Sequence, residues 1–435
     1  MKLKYLTLAL LPILYLSCSS DPSDDPSNDP SDDNIETPDV TLEHYQVESD
    51  PEGYVDSSKW ELSWSDEFDG DDSDLEPDWT IDDGNYKSSI ASIRWRENVV
   101  VEDGVLKLLS KRDDRDSRVE WSTGNLWTTD TYQYGYFECR YKYNAAYTVN
   151  NAFWIMPSTT TTIPAGGVKF EIDINEGHYP NLLYLDLHDW TNSTVDSDGT
   201  VSYPRDQRQY VYGAEPYVYL RFSEAVTCSK IRFSSLHKTQ FRIQEFKVFA
   251  HSTSGYTPIA TEGTVSGNLM YSANVTAVEG STNVSNLYDG NHSTSWLSPL
   301  DGDKWFEVDL KTDQDIGCIQ FINGSESSYD SWIGMVSDYV IEGWNGTEWF
   351  EIESWDVTDE VNFAEMFHTY ALEWTPDYLI YYMDGIEIRR EENTICHNPA
   401  NVYLSTAILT YKGEIPDNVD GAHMEVDYLR IYSAK

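Results

Sequence analysis

The sequence predicts an all-β protein in which one β-sandwich is interrupted by a second. Three observations predict it. Apolar and polar residues alternate over short runs such as "YGYFECRYKY" and "NLLYLDLHDW", and turn residues break the runs at regular spacing, the pattern of sandwich strands. Stretches with the 3.6-residue period of a helix are scarce. The strand vocabulary changes near residue 191 and changes back near 358, in a chain of 435 residues that is long enough for two folded units. A domain can be inserted into a surface loop of another when the guest's ends lie close together.

The chain begins with "MKLKYLTLALLPILYLSC". Lys2 and Lys4 precede an apolar run too short to span a bilayer, as in a secretory signal. The run ends in Leu16, Ser17 and Cys18, which resembles a bacterial lipobox and implies lipidation of Cys18 after residues 1–18 have directed export. The expectation is a cell-envelope lipoprotein, surface-exposed on the outer membrane and held to the membrane through this anchor alone. Residues 19–58 open with "SSDPSDDPSNDPSDDN", an Asp/Ser/Pro tether with nothing to build a core from.

The whole chain has 75 acidic and 29 basic residues, a formal net charge of −46. That excludes a nucleic-acid partner, which needs a basic footprint. It also makes a neutral polymer a better partner than a strongly anionic one. The cysteines beyond Cys18 are Cys139, Cys228, Cys318 and Cys396, with no CxxC spacing and so no zinc site. Export permits a disulfide, and Cys228–Cys318 is the pair to test.

The first sandwich is expected over 59–190. "WELSWSDEFDG" leads into "NVVVEDGVLKLLSK", where "EDG" joins two apolar runs as a hairpin does. "NAFWIMP" and then "KFEIDINEGHY" follow. The last stretch holds Glu171, Asp173 and Glu176. On a regular strand Glu171 and Asp173 share a face while Glu176 points the other way. Retaining glycoside hydrolysis needs two carboxyl groups about 5–5.5 Å apart. Same-face residues four apart have Cα atoms roughly 13 Å apart, a gap that two inward-reaching Glu side chains close. Glu171 and Glu176 are five apart, so a β-bulge at Asn175 or its neighbour is required to restore the facing. A carboxyl held between two others resists full ionisation of all three, so protons are shared and one group stays protonated near neutral pH. Spacing alone leaves open a solvated acidic strand or a calcium loop.

"SWSDEFDG", "YGYFECRYKY", "NAFWIMP", "EIDINE", "FHTYALEWTPD", "MDG" and "EVDYLRIY" occur in this order, and together they resemble the family-16 glycoside hydrolases, the laminarinase, agarase, porphyranase and κ-carrageenase group. "EIDINE" is similar to the bulged form of the family signature. The resemblance covers 60–190 and about 359–432, with 358–435 forming the second part of the sandwich. It implies a jelly-roll β-sandwich with a cleft on its concave face. It implies Glu171 as nucleophile, Asp173 as assisting acid and Glu176 as general acid/base, with no cofactor for catalysis. Trp154 is implied as a sugar platform, with a core role as the competing reading. His178, His188 and Trp190 border the expected cleft, and Arg94, Trp95 and Arg96 either line subsites or sit on a solvated strand. Tyr134, Tyr136 and His368 read as packing residues. Asp427 resembles the family's convex-side calcium position.

The insert is expected over 191–357. "NLYDGNHSTSW", "KWFEVDL" and "YVIEGWNGTEWFEI" resemble the discoidin-like (factor 5/8 type C) modules, many of which bind carbohydrate. Those modules end on a strand of the "RIQEFKVF" kind, which here comes first, so the resemblance implies a circular permutation. It also implies a structural Ca²⁺ held by Asp289, Thr294 and Glu245; oxygen ligands from loops suit that ion. The expected function is retaining endo-β-glycanase action on an agar-type β-galactan or a β-1,3-glucan, with non-catalytic glycan capture as the alternative.

Overall fold

The computed structural model describes residues 42–435 apart from 196, 198, 236–238, 327–330 and 411–412. The signal, Cys18 and the start of the tether therefore lie outside the described residues. Among the described residues the regular elements are β-strands and short 3₁₀ turns.

Two sheets face each other in the first sandwich. The outer sheet has eight strands, with Gly135–Lys142 paired between His368–Trp374 and the C-terminal His423–Ala434. The inner sheet has seven, running from Arg205–Val211 through Leu182–Asp189, Phe170–His178, Val149–Met156 and Asn401–Ile408 to Asn125–Thr128 and Trp79–Ile81. Alternation decides what each strand buries. Phe137, Cys139 and Tyr141 from the outer sheet meet Phe153, Ile155, Phe170 and Ile172 from the inner one in a single core. Each fully buried large apolar side chain contributes about 1.5–3 kcal/mol.

The insert has its own core, built around Phe233, Phe246, Trp296, Phe306 and Phe321. Two long strands, Tyr217–Ser235 and Lys304–Asn323, pair antiparallel through its centre with irregularities at Arg221/Val226 and Cys228/Lys230. Arg242–Ala250 lies on the other side of Lys304–Asn323, and Asp338–Trp344 and Trp349–Asp356 complete the sheet.

Two expected boundaries move. The tether was expected to run to residue 58, but the fold starts by Leu42. Tyr45 is buried against Tyr212, and the Ser49 hydroxyl and carbonyl accept hydrogen bonds from Arg140. Acidic, Pro-bounded text hid these two anchors. The insert was expected from 191, but Arg205–Val211 pairs with Leu182–Asp189 as an edge strand of the inner sheet, so the guest starts after Tyr212. The four cysteines in the described residues are buried free thiols, and Cys228 and Cys318 pack in separate clusters rather than pairing.

Candidate active site

The strand Phe170–His178 explains the five-residue spacing. Against Leu182–Asp189, Asp173 faces Asp186 and Glu176 faces Tyr184, so two residues on one strand oppose one on the other. Against Val149–Met156, Asn175 pairs with Phe153 and Asp173 with Trp154, leaving Ile174 as the extra residue. Ile174 and Asn175 both turn to the core. Ile174 packs there, and the Asn175 amide donates to the Tyr141 hydroxyl at 2.6 Å and the Tyr143 hydroxyl at 2.9 Å. Two consecutive inward residues reverse the parity, which brings Glu176 and His178 to the face of Glu171 and Asp173. Gly177 also turns inward, where an added Cβ would meet the Tyr143 ring at 2.2 Å. The bulge is thus pinned to the core on both sides of Glu176.

The carboxylates converge with a fourth that sequence reasoning missed. An Asp173 oxygen lies within 4.8 Å of one from Glu171, and likewise within 4.8 Å of Glu176 and Asp186. Glu171 accepts a hydrogen bond from the Trp190 indole at 3.0 Å, and Glu176 accepts one from the Asn150 amide at 2.5 Å. Burial and then the Glu176 charge push the Glu171 carboxyl up to about 7, opposed by Trp190 and Lys87. Burial, Glu171 and Glu176 raise Asp173 well above the usual carboxylate range. Burial lifts Asp186 to about 7 against the pull of Arg205, which bonds it directly. His188 stands 3.4 Å from Asp173, and burial and Arg205 hold it neutral by lowering it to about 4. A row of carboxyls that cannot all ionise fits shared protonation.

Aromatic surface flanks the row. Trp154 lies on the cleft face, stacked on Tyr403 with centroids 4.1 Å apart and donating to the Ser405 hydroxyl at 3.1 Å. Tyr403 in turn stacks on Trp127. Trp154 points away from the main core, which Phe153 and Ile155 fill, and is itself buried in a small cluster with Ala152 and Tyr403. Trp190 is half-exposed, stacks on His188 at 4.9 Å and contacts Tyr203. His178 follows Glu176 on the same face, with its Nδ1 3.2 Å from the Val149 carbonyl.

Other expected positions fall elsewhere. Arg94 is buried beside Asp82 and does not line an open subsite. Trp95 carries the Arg115 guanidinium over its ring at 4.6 Å. Arg96 bonds the carbonyls of Val99 and Asp72. Tyr136 packs in a small aromatic cluster, and His368 is buried 2.7 Å from Asp384. Asp427 does not fit a calcium site, because the Arg140 guanidinium takes its carboxylate at 2.6 Å. In the insert, Asp289 and Thr294 meet at 2.7 Å, and Glu245 is fully buried beside Asp289.

Asp186 and Asn150 were legible in principle. Both sit on the polar phase of an alternating strand, opposite Leu185 and Leu187 in one case and beside Asn151 in the other. Arg205 and Gln207 were missed because their strand was assigned to the insert.

Two sequence profiles match parts of the chain. The sequence profile of glycosyl hydrolases family 16 matches residues 342–430, and that of the NedA-like, galactose-binding domain matches 286–371. A curated relative, the endo-1,3-1,4-beta-glycanase ExsH of Rhizobium meliloti, is 32% identical over 72 residues, 16% of this chain and 16% of that protein. The chain thus spans about one sixth of the curated relative it matches. Among solved structures, an endo-1,3-beta-glucanase (laminarinase) catalytic domain from Thermotoga petrophila aligns at 14% identity and a TM-score of 0.44, over 86% of this chain and 98% of that one. An endo-beta-1,3-glucanase from Pyrococcus furiosus aligns at 15% identity and 0.45, over 87% and 97%. The chain is thus similar in part to family-16 glycosyl hydrolases and in part to the NedA-like, galactose-binding domain.

Proposed function

We propose that this protein is a retaining endo-β-glycanase that cuts internal bonds of a polysaccharide, an agar-type β-galactan or a β-1,3-glucan. One observation carries the reading: the Ile174–Asn175 bulge puts Glu171, Asp173 and Glu176 on one face of a single strand, above the core and under an aromatic-flanked cleft. The family-16 match over 342–430 supports it.

In the proposed mechanism the Glu171 carboxylate attacks the anomeric carbon while Glu176 gives its proton to the departing glycosidic oxygen. The C–O bond breaks, and the sugar is left as an ester of Glu171. Glu176, now a base, takes a proton from water, and the hydroxide oxygen displaces Glu171 with a second inversion. Trp190 orients Glu171, and Asn150 orients Glu176. Asp173, between them, holds a proton and resists a second negative charge beside Glu171. Trp154 offers an aromatic face to the apolar side of a sugar ring.

The donor set in the insert fits Ca²⁺. Glu245 keeps one buried oxygen, Oε2, without a hydrogen-bond partner, beside the Asp289 carboxylate and the Thr294 hydroxyl. Glu245, Asp289 and Thr294 would hold the ion, which would brace the loop at Gly290 and take no part in hydrolysis. Lipidation at Cys18 and display on the outer membrane complete the proposal.

The test is to incubate the wild type and Glu171→Gln with agarose, laminarin and related polymers and to measure new reducing ends. The wild type is expected to release them and the variant not to. Product from neither protein on any polymer would sink the enzyme reading.

A further inference from the structure

The inserted sandwich packs its Trp332–Ile333 strand beside Arg205–Val211, the edge strand of the inner sheet. Between the two sandwiches lies a cavity of about 340 Å³, within the range of sites for small organic groups. One wall is the concave face of the first sandwich, with His178, Tyr184, Gln207 and Gln209; the other is the insert, with Gln240 and Arg242.

The cavity adjoins the strand that carries the carboxylates, through His178. Glu176 is the cross-strand partner of Tyr184, and Tyr184 is the partner of Gln209. One strand spacing, about 5 Å, therefore leads from the acid to the nearest wall residue, and a second to Gln209. His178 reaches the same space from the carboxylate strand itself. The stacked rings of Trp154, Tyr403 and Trp127 lie on the opposite side of Phe170–His178, across Val149–Met156, Asn401–Ile408 and Asn125–Thr128. A chain crossing the carboxylates would thus meet rings at one end and the insert at the other.

The lining suits sugar. Gln207 is held by its bond to Asp186 and Gln240 by its bond to the Ser298 carbonyl, so each amide is fixed. The stem of Arg242 lies against Gly334, where a Cβ would come within 3.1 Å of it. Arg242 makes no ion pair among the described residues. Tyr147 and Tyr179, edge to face at 5.0 Å, add aromatic surface. Amides and a guanidinium that meet hydroxyls, beside rings that meet C–H faces, are the groups that recognise a saccharide unit.

We propose that the insert is a wall of the cleft: its Gln240–Arg242 and Ile333–Ser337 segments complete a subsite for a further unit of the same polysaccharide, beyond Glu176 and opposite the Trp154 platform. This rests on the glycanase reading and gives the insert a role in positioning the polymer. The test uses the full chain and two plugs or deletions, Thr239→Trp and Arg242→Ala, with Arg232→Ala as a control on the insert away from the cavity. Laminari- and agaro-oligosaccharides of three and six units are the probes. The ratio of kcat/KM for six units over three is expected to fall about tenfold or more in both cavity variants, carried mainly by KM, and to stay unchanged in Arg232→Ala. An unchanged ratio in Thr239→Trp, with an unchanged melting temperature, overturns the subsite and leaves the glycanase reading standing. If the wild type cleaves neither series, the glycanase reading fails, and calorimetric binding of the hexasaccharides decides the subsite. Weaker binding by Thr239→Trp supports it; equal binding, or none by the wild type, overturns it.

Discussion

Two regions of this chain bury carboxylates, and they do so with different consequences. In the first sandwich Glu171, Asp173, Glu176 and Asp186 crowd one another on one face of a sheet. In the insert Glu245 is sealed beneath the Gly290 turn, whose amide donates to it at 2.6 Å, and it faces the Asp289 carboxylate, which the Thr294 hydroxyl bonds in turn. Burial raises Glu171 and Glu245 alike, each to about 7. Among like neighbours that strain keeps a proton in play. Beside the oxygen donors of the proposed calcium site it is a cation that would relieve it. The difference lies in what each carboxyl faces, not in how deeply it is buried.

The largest expected effect tests the open row. Glu171→Gln removes the nucleophile with little change of shape and is expected to lower kcat by about 10⁴-fold or more, while Glu176→Gln costs about 10²–10⁴-fold. Both are read from reducing-end release. The closed site should respond to metal and not to substrate. Calcium at about 100 times its Kd is expected to stabilise the wild type by about 2.7 kcal/mol, seen as a higher melting temperature that EDTA reverses. Glu245→Ala should melt at one temperature with or without calcium, and a calcium response equal to that of the wild type would count against the site.

A smaller effect tests the open row by pH. Glu171 and Asp186 have folded-state pKa values above their unfolded ones. The folded chain therefore keeps protons that the unfolded chain loses from about pH 4 upward. This contribution to stability is complete below about pH 4 and is lost as pH rises through 7. Glu171→Gln is thus expected to melt higher than the wild type at pH 7.5, by about 2–4 °C, and nearly level with it at pH 4.5. The smallest effect concerns Trp190. Its indole lowers the Glu171 pKa, so Trp190→Phe should move the acid limb of kcat/KM, expected near pH 7, upward by about half a pH unit.

The sequence was most legible where one side chain pattern admits one geometry. Five-residue spacing in "EIDINE" demanded a bulge, and the structure puts it at Ile174 with Asn175 tied to two tyrosines. The tyrosines were not legible as its anchors, because Tyr141 and Tyr143 reach it from the opposite sheet. Glu245, Asp289 and Thr294 come together although 49 positions separate the first from the last. Where composition stood in for geometry the reading failed. Tyr45 and Ser49 looked like tether, Arg205–Val211 looked like guest, and Asp427 looked like a ligand until Arg140 was seen beside it. Long-range partners decide those cases, and no local pattern encodes them.

The central claim is that Glu171 and Glu176 act as nucleophile and acid/base across one bulged strand. Nuclear magnetic resonance of the product in the first minutes of hydrolysis, before mutarotation, tests it most directly. Double displacement predicts that the new reducing end appears first as the β-anomer and drifts toward equilibrium. The α-anomer appearing first would show a single displacement by water and contradict a nucleophilic Glu171.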